Sequence, residues 1–279
     1  MVGPQGLMPG DYTVPFEFQL PSYLPASFLF SKTNIEAKPK AKVKYHIKVR
    51  MVTRLPSLRP MQYKQVLIIR EAPPAVELMI NQNNRLPIRT WCCINQGVSE
   101  ITGRFEKNMY CPNEKVKADA IINNAQCNLN VTDIRLAIEQ EVTITCDGHT
   151  WKEMYTIAEK LEAGVMARFP TPEYRYIEID LSTIQFPVPD MRRKKNKPIS
   201  MEDKFMLSQA QPVTHGMHVT NEYFVAIRMN FNGCTCCSTL PMSRIPLVIT
   251  PMINPACYGF QIPADYQPQV QPMYQIVFA

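Results

Sequence analysis

An all-β chain is what this sequence predicts, and three observations carry the prediction. Apolar and polar residues alternate at period two along several stretches, most cleanly over 41–51 and 223–231, the pattern of strands with one buried and one wet face. Proline is abundant and glycine scarce, at 25 and 10 of 279 residues, which interrupts helices and leaves the turns to Pro, Asn and Asp. An apolar content of 46% is enough to build the cores of two domains of ordinary size.

Taken in order, Pro9-Gly10 marks a turn. Tyr12, Val14, Phe16, Phe18 and Leu20 then alternate with Thr13, Pro15, Glu17 and Gln19, predicting a strand whose first set faces a core. Pro15 lacks a backbone N–H and places that strand at a sheet edge. Pro21 and Pro25 end it. After a polar connection over 31–40, the stretch 41–51 sets Val43, Tyr45, Ile47, Val49 and Met51 on one face and Lys42, Lys44, His46, Lys48 and Arg50 on the other. Burying such a set contributes roughly 1.5 to 3 kcal/mol per side chain before entropy is charged. Its register is therefore pinned. A loop with Pro56 and Pro60 leads to short apolar runs over 66–69 and 75–80.

The string NQNNRLP at 81–87 reads as a domain boundary, because four amides resist burial and Pro87 stops a continuing strand. Strands are then expected over 98–105, over 115–122 through Val116, Ala118, Ala120 and Ile122, and as one or two strands over 131–145. Residues 154–169 contain AEKLEAG, which favours helix, yet Tyr155, Ile157, Leu161, Ala163, Val165, Ala167 and Phe169 alternate. Strand is the reading taken. Further strands are expected over 178–181, over 218–231 with Tyr223, Val225, Ile227, Met229 and Phe231 inward, and over 245–249. Asn232-Gly233 signals a hairpin. The resulting division is a first domain over 1–80, a linker over 81–88, a second domain over 89–250 and a tail over 251–279 rich in Pro, Gln and Tyr.

Charge is concentrated. Residues 32–70 hold eleven Lys and Arg against one acid, Glu36, a local balance of +10, while the rest of the chain sums to −4. Lys42, Lys44, Lys48 and Arg50 form a candidate patch for acidic or phosphorylated tails or for anionic lipid. Arg192, Arg193, Lys194 and Lys195, in a long basic connection, form a second candidate contact for lipid or a partner. Neither run is interleaved with stacking aromatics, which argues against nucleic acid.

Nine cysteines, an odd number with Cys92-Cys93 and Cys236-Cys237 adjacent, read as reduced thiols. Cys92, Cys93, Cys234, Cys236 and Cys237 lack paired C-x2-C spacing and have no nearby histidine, so no metal and no cofactor is expected. His46, His149, His215 and His218 have no nucleophile or carboxylate pattern around them, and no Gly-rich phosphate loop, G-x-S-x-G or H-E-x-x-H occurs. Catalysis is not expected. No apolar run reaches the ~18 to 20 residues of a spanning helix, and residues 1–10 have no leader pattern, so an unsecreted protein that does not span the membrane is expected.

Several of these strings, in the same order, resemble α-arrestins, the arrestin-domain-containing proteins. Pro9-Gly10, Tyr12, Pro15-Phe16, Phe18, Leu20-Pro21, Leu24-Pro25 and Ser27-Phe28 match an N-lobe motif, with Val14 where the family usually has Phe. Val43, Tyr45, Ile47 and Val49 match the strand that follows. Cys92-Cys93, Gly97-Val98-Ser99, the turn Tyr110-Cys111-Pro112-Asn113-Glu114, Ala120-Ile121-Ile122-Asn123 and the closing Leu240-Pro241 with 245–249 match the C lobe. Asn113 replaces the usual turn Gly and tolerates the same left-handed backbone.

The resemblance implies two tandem immunoglobulin-like, arrestin-type sandwich lobes. The first is incomplete, since the family carries several strands before the motif that starts here at Met8. It also implies a cytoplasmic adaptor, peripheral to the plasma membrane or endosomes, linking membrane cargo proteins or receptors to endosomal sorting components or a ubiquitin ligase. Family tails recruit WW domains through Pro-Pro-x-Tyr; here Gln271-Pro272-Met273-Tyr274 lacks the first Pro, leaving Pro272 and Tyr274 as a weak form of the motif. The alternative is a structural or oligomer-forming β-protein without cargo recognition, its first lobe completed by a partner.

Overall fold

The computed structural model describes residues 13, 16–21, 23–32, 39–51, 59–91, 93–184, 210–235 and 239–250. Its strands, in chain order, are β1 (Phe28–Ser31), β2 (Lys40–Val43), β3 (Tyr45–Met51), β4 (Met61–Leu67), β5 (Leu78–Thr90), β6 (Ile94–Lys107), β7 (Met109–Tyr110), β8 (Lys115–Cys127), β9 (Val131–Cys146), β10 (His149–Val165), β11 (Glu173–Asp180), β12 (Thr214–His215), β13 (Val219–Phe231) and β14 (Met242–Ile249). One 3-10 turn, Leu181–Thr183, is capped by the Asp180 carboxylate, which accepts from Ser182 N. No α-helix occurs among the described residues.

The chain divides into two compact units, one of Pro25–Tyr45 with Ile68–Met252 and one of Met1–Leu24, His46–Leu67 and Ile253–Ala279. In the larger unit a sheet ordered β10-β9-β13-β14-β7, with β12 on β13, faces a four-stranded sheet ordered β11-β8-β6-β5. Alternation decides which side chains meet between them. Ile134, Leu136 and Ile138 of β9 lie opposite Met229, Ile227 and Val225 of β13. These join Ile101, Phe105, Val116, Ile122 and Ile177 from the other sheet in one core. Gly97 lies at φ +102°, and a Cβ there would stand 1.8 Å from the Gln126 carbonyl oxygen, so the β6–β8 approach requires glycine.

The open sides of this sandwich are cross-linked. Arg175 of β11 donates from Nε to the Ala163 carbonyl at 3.2 Å and from Nη2 to the Gly164 carbonyl at 3.4 Å, joining edge strands β11 and β10. On the opposite side, Ser243 Oγ donates to the Gln82 carbonyl at 3.3 Å and Arg244 N to Gln82 Oε1 at 3.1 Å.

Strands β9, β10 and β13 outrun the first core and carry a second. Phe28, Val142, Ile144 and Val219 are buried together, with Phe30, Ala41, Val43, Trp151 and Tyr155 packed around them. The Phe30 ring lies 5.4 Å from Trp151 and 6.3 Å from Tyr155. The antiparallel pair β1–β2, registered Phe28↔Val43 and Phe30↔Ala41, thus covers the end of the larger sheet.

Several expectations are corrected. Residues 16–21 form no strand, and Phe16, Phe18 and Leu20 are exposed; Tyr12 and Val14 lie outside the described residues. The strand expected over 41–51 breaks at Lys44 into β2 and β3. Residues 81–88 are not a linker but the middle of the edge strand β5, where the backbone groups facing β6 bond to it while Asn81, Gln82 and Asn83 keep their amides at the surface. Cys93 sits in the β5–β6 turn rather than in a strand. Asn232-Gly233 does not close a tight hairpin: ten residues, 232–241, join β13 to β14. The strand expected over 154–169 is present as β10, but a bulge between Thr156 and Ala158 resets its faces and turns Leu161 outward.

Candidate binding surface

In the smaller unit β3 and β4 form a two-stranded sheet. Period-two geometry puts Ile47, Val49 and Met51 on one face of β3 with His46, Lys48 and Arg50 on the other, and separates Met61 and Tyr63 from Gln62 and Lys64 on β4. Both faces are wet: Val49 is 55% exposed, Met61 59% and Tyr63 67%, and Lys48, Arg50 and Lys64 are exposed as well.

The four basic residues singled out from the sequence are not gathered on one strand. Lys42 is exposed on β2 and Lys44 is half-buried at the break, both in the larger unit, whereas Lys48 and Arg50 belong to the smaller one. Arg192, Arg193, Lys194, Lys195, Pro272 and Tyr274 lie outside the described residues.

The larger unit holds two polar clusters that the sequence did not announce. Glu71 is the hub of the first. Its Oε1 accepts from Ala26 N at 3.3 Å, Thr214 Oγ1 at 2.9 Å and His215 N at 2.6 Å, while its Oε2 meets His215 Nδ1 at 2.8 Å. Partial burial pushes the Glu71 carboxyl upward, but the donors from His215, Thr214 and Ala26 outweigh it and hold the group below its ordinary value. The bond to Glu71 raises the His215 imidazole above its ordinary value against the effect of burial, helped by Glu222, whose Oε1 lies 3.6 Å from Nε2. Beside this clasp Gln211 Oε1 accepts from Leu29 N at 3.1 Å, and its backbone carbonyl accepts from Tyr223 Oη at 2.8 Å. Segments 25–29, 69–71 and 211–215 are thereby tied together, with Ser27 N donating to the Ile69 carbonyl at 2.8 Å.

The second cluster lies on the non-core face of the larger sheet. Glu139, fully buried, forms ion pairs with Arg228 and, at 3.3 Å, with Arg244 Nε. The Arg244 guanidinium stands 3.5 Å from the Phe224 ring centroid and 3.7 Å from Glu141, which Lys152 approaches at 2.8 Å. Charges here are mutually compensated, as removal of a carboxylate from water requires.

A shallow depression of about 200 Å³ lies against Met79, Arg104, Lys117 and Tyr176 of the four-stranded sheet, where Lys117 pairs with Glu106 at 3.7 Å. The hydrogen bond from Trp91 N to the Cys234 carbonyl, 3.2 Å, brings the Cys93 turn beside the β13–β14 connection. Cys92, Cys236 and Cys237 lie outside the described residues. Among the described residues no group of three or more His, Cys, Asp or Glu is placed to hold a metal ion, and no helix is long and apolar enough to cross a membrane.

Sequence pattern had no signal for the Glu71 hub, because its partners stand 45 and 143–144 residues away. No curated protein matches this chain. The family model described as "Arrestin (or S-antigen), C-terminal domain" matches residues 95–254, a span that runs from β6 through β14 and covers more than half of the 279 residues. With an all-β sandwich over the matched strands, the chain belongs to the arrestin family.

Proposed function

We propose that this protein is a non-catalytic adaptor of the α-arrestin type, linking the cytosolic tails of membrane cargo proteins or receptors to endocytic sorting components or a ubiquitin ligase. The observation that carries the adaptor role is membership of the arrestin family, whose members are non-enzymatic adaptors and scaffolds. The α-arrestin subtype, and with it work at the plasma membrane or endosomes, is supported by the motifs from Pro9-Gly10 to Ser27-Phe28 and from Gly97 to Asn123. Lys42 and Lys44, on the docked β1–β2 side, and Lys48 and Arg50 on β3 are the proposed contacts for an anionic ligand, either an acidic or phosphorylated tail or anionic lipid. Arg192, Arg193, Lys194 and Lys195 are proposed for lipid or a partner, and Pro272 with Tyr274 for a weak WW-domain contact.

Proximity labelling from the full chain tests the reading. Marked transporters, receptors or endosomal components are the expected result. Marking confined to one fixed assembly would overturn it in favour of a structural role, a reading favoured by the exposed Val49, Met51, Met61 and Tyr63, which a permanent partner could cover.

A further inference from the structure

Strand β5 is an outer strand, neighboured in its sheet by β6 alone. Two hydrogen bonds set the phase of its backbone. Asn108 N, just past β6, donates to the Glu77 carbonyl at 3.2 Å, so Glu77, Asn81, Asn83 and Arg85 turn their backbone groups toward β6. The Gln82 carbonyl instead accepts from Ser243 Oγ of β14 at 3.3 Å, so Ile80, Gln82, Asn84 and Leu86 turn theirs away. The N–H groups of these four find no acceptor among the described residues.

An open edge is ordinarily blunted by charge, proline or a cross-link. The outer strands β10 and β11 carry five and four charged residues and are tied together by Arg175. Across 80–86 Arg85 is the one charge. Its Nη2 donates to Gln126 Oε1 of β8 at 2.8 Å, across β6 and away from the open side. Pro87 and the positive φ of Met79, 54°, bound the open window.

We infer that the open side of β5 is a homodimer interface, joining two four-stranded sheets through antiparallel β5 strands related by a two-fold axis at Asn83. The groups left open are those an extended strand satisfies, and the sequence of β5 complements itself. With Asn83 opposite its own copy, Ile80 faces Leu86, Gln82 faces Asn84 and Asn81 faces Arg85. Outward residues then meet outward residues, each such pair exchanging two hydrogen bonds. Half-buried Ile80 and Leu86 gain apolar neighbours, amide meets amide, and Arg85 meets no like charge. A shift of two residues either way sets Ile80 against Asn84 or Gln82 against Leu86. A two-fold contact uses the same edge on both copies and stops at two. The adaptor reading is not a premise here: proximity labelling can fail with the dimer intact, and a monomeric chain leaves the adaptor reading standing.

Sedimentation equilibrium of the full chain over a concentration series tests the inference, with residue-resolved amide exchange to locate the contact. The mass should rise from 32.0 kDa toward twice that value. The amides of Ile80, Gln82, Asn84 and Leu86 should gain protection with concentration, while those of Asn83 and Arg85, already facing β6, stay protected throughout. Asn84→Pro removes an outward N–H and leaves the β5–β6 ladder in place, so it should weaken the dimer about a hundredfold while the dilute monomer melts as the parent does. Charge opposite Arg85 gives a readout that misfolding cannot mimic. Asn81→Lys should weaken the dimer about threefold, Asn81→Glu should tighten it by about the same factor, and Asn81→Lys with Arg85→Glu should reverse the loss.

Three results would overturn the inference. One is a mass fixed at 32.0 kDa with the four amides open at every concentration. Protection of those amides that ignores concentration would assign the edge to another segment of the same chain. A dimer indifferent to Asn84→Pro and to both Asn81 variants would place the contact on another surface.

Discussion

Strands β2 and β3 are one continuous alternating stretch in sequence, yet their apolar faces meet opposite fates. On β2, with its partner β1, the apolar set closes on Val142, Ile144, Val219, Trp151 and Tyr155. On β3, with its partner β4, Val49, Met51, Met61 and Tyr63 stay exposed. Alternation fixes which side chains share a face; burial additionally needs a second layer with a matching apolar surface. The overhang of β9, β10 and β13 supplies that layer to β1–β2.

Mutations can break the contrast. The largest effect is expected for Phe28→Ala, which opens a cavity under a fully buried ring and should destabilise the larger unit by about 3 to 5 kcal/mol in urea unfolding. Val49→Ala on the bare ribbon should stay within about 0.5 kcal/mol. Equal effects at the two positions would show that the ribbon is as well covered as the docked pair. Next in size is Glu71→Ala, which strips four contacts at once and leaves His215 N to find another acceptor, while Ala26 N keeps Thr214 Oγ1 at 2.9 Å. A loss of about 1 to 3 kcal/mol is expected. Amide exchange should quicken at His215, while exchange in the first core, read at Leu136 and Val225, is unchanged.

A smaller effect distinguishes the regions by pH. His215 is raised by Glu71, so its contribution is fully present below the ordinary imidazole value of 6.5 and is lost as pH rises through its higher folded value. Glu71 is lowered, so its contribution is present above the ordinary carboxylate value of 4.5 and is lost as pH falls through its lower folded value. The clasp is therefore strongest between those two ordinary values. Protection of Ala26 and Leu29 amides, corrected for intrinsic exchange, should decline as pH rises above the ordinary imidazole value of 6.5, and His215→Gln should flatten that decline. The ribbon, without such a pair among its described residues, should show no matching trend.

Strand character was legible wherever alternation and β-branched residues coincided, as in Ile134, Leu136 and Ile138 or Val225 and Ile227, because local pattern and tertiary core agree there. It misled at 81–87. An amide-rich run that avoids burial is equally suited to an edge strand, where the backbone bonds to β6 and the side chains remain wet. It misled again at Phe16 and Phe18, whose spacing allows a strand but cannot specify a second layer. The candidate site was legible only as charge. Lys48 and Arg50 were visible as cations, but the exposure of the apolar face behind them, and the assembly of Glu71 with His215 and Thr214, depend on contacts between segments far apart in the chain.

The overhang has a mechanical consequence. Strand β9 is 16 residues long, about 50 Å at the usual rise per residue, and it passes without interruption from the core around Leu136 to the core around Val142. With β13 bonded along it in register, it works as a beam shared by both cores. A displacement imposed on β1–β2 is carried into the matched domain by hydrogen-bonded backbone, which bends as a unit, and the two ends of the larger unit respond together rather than as independent parts.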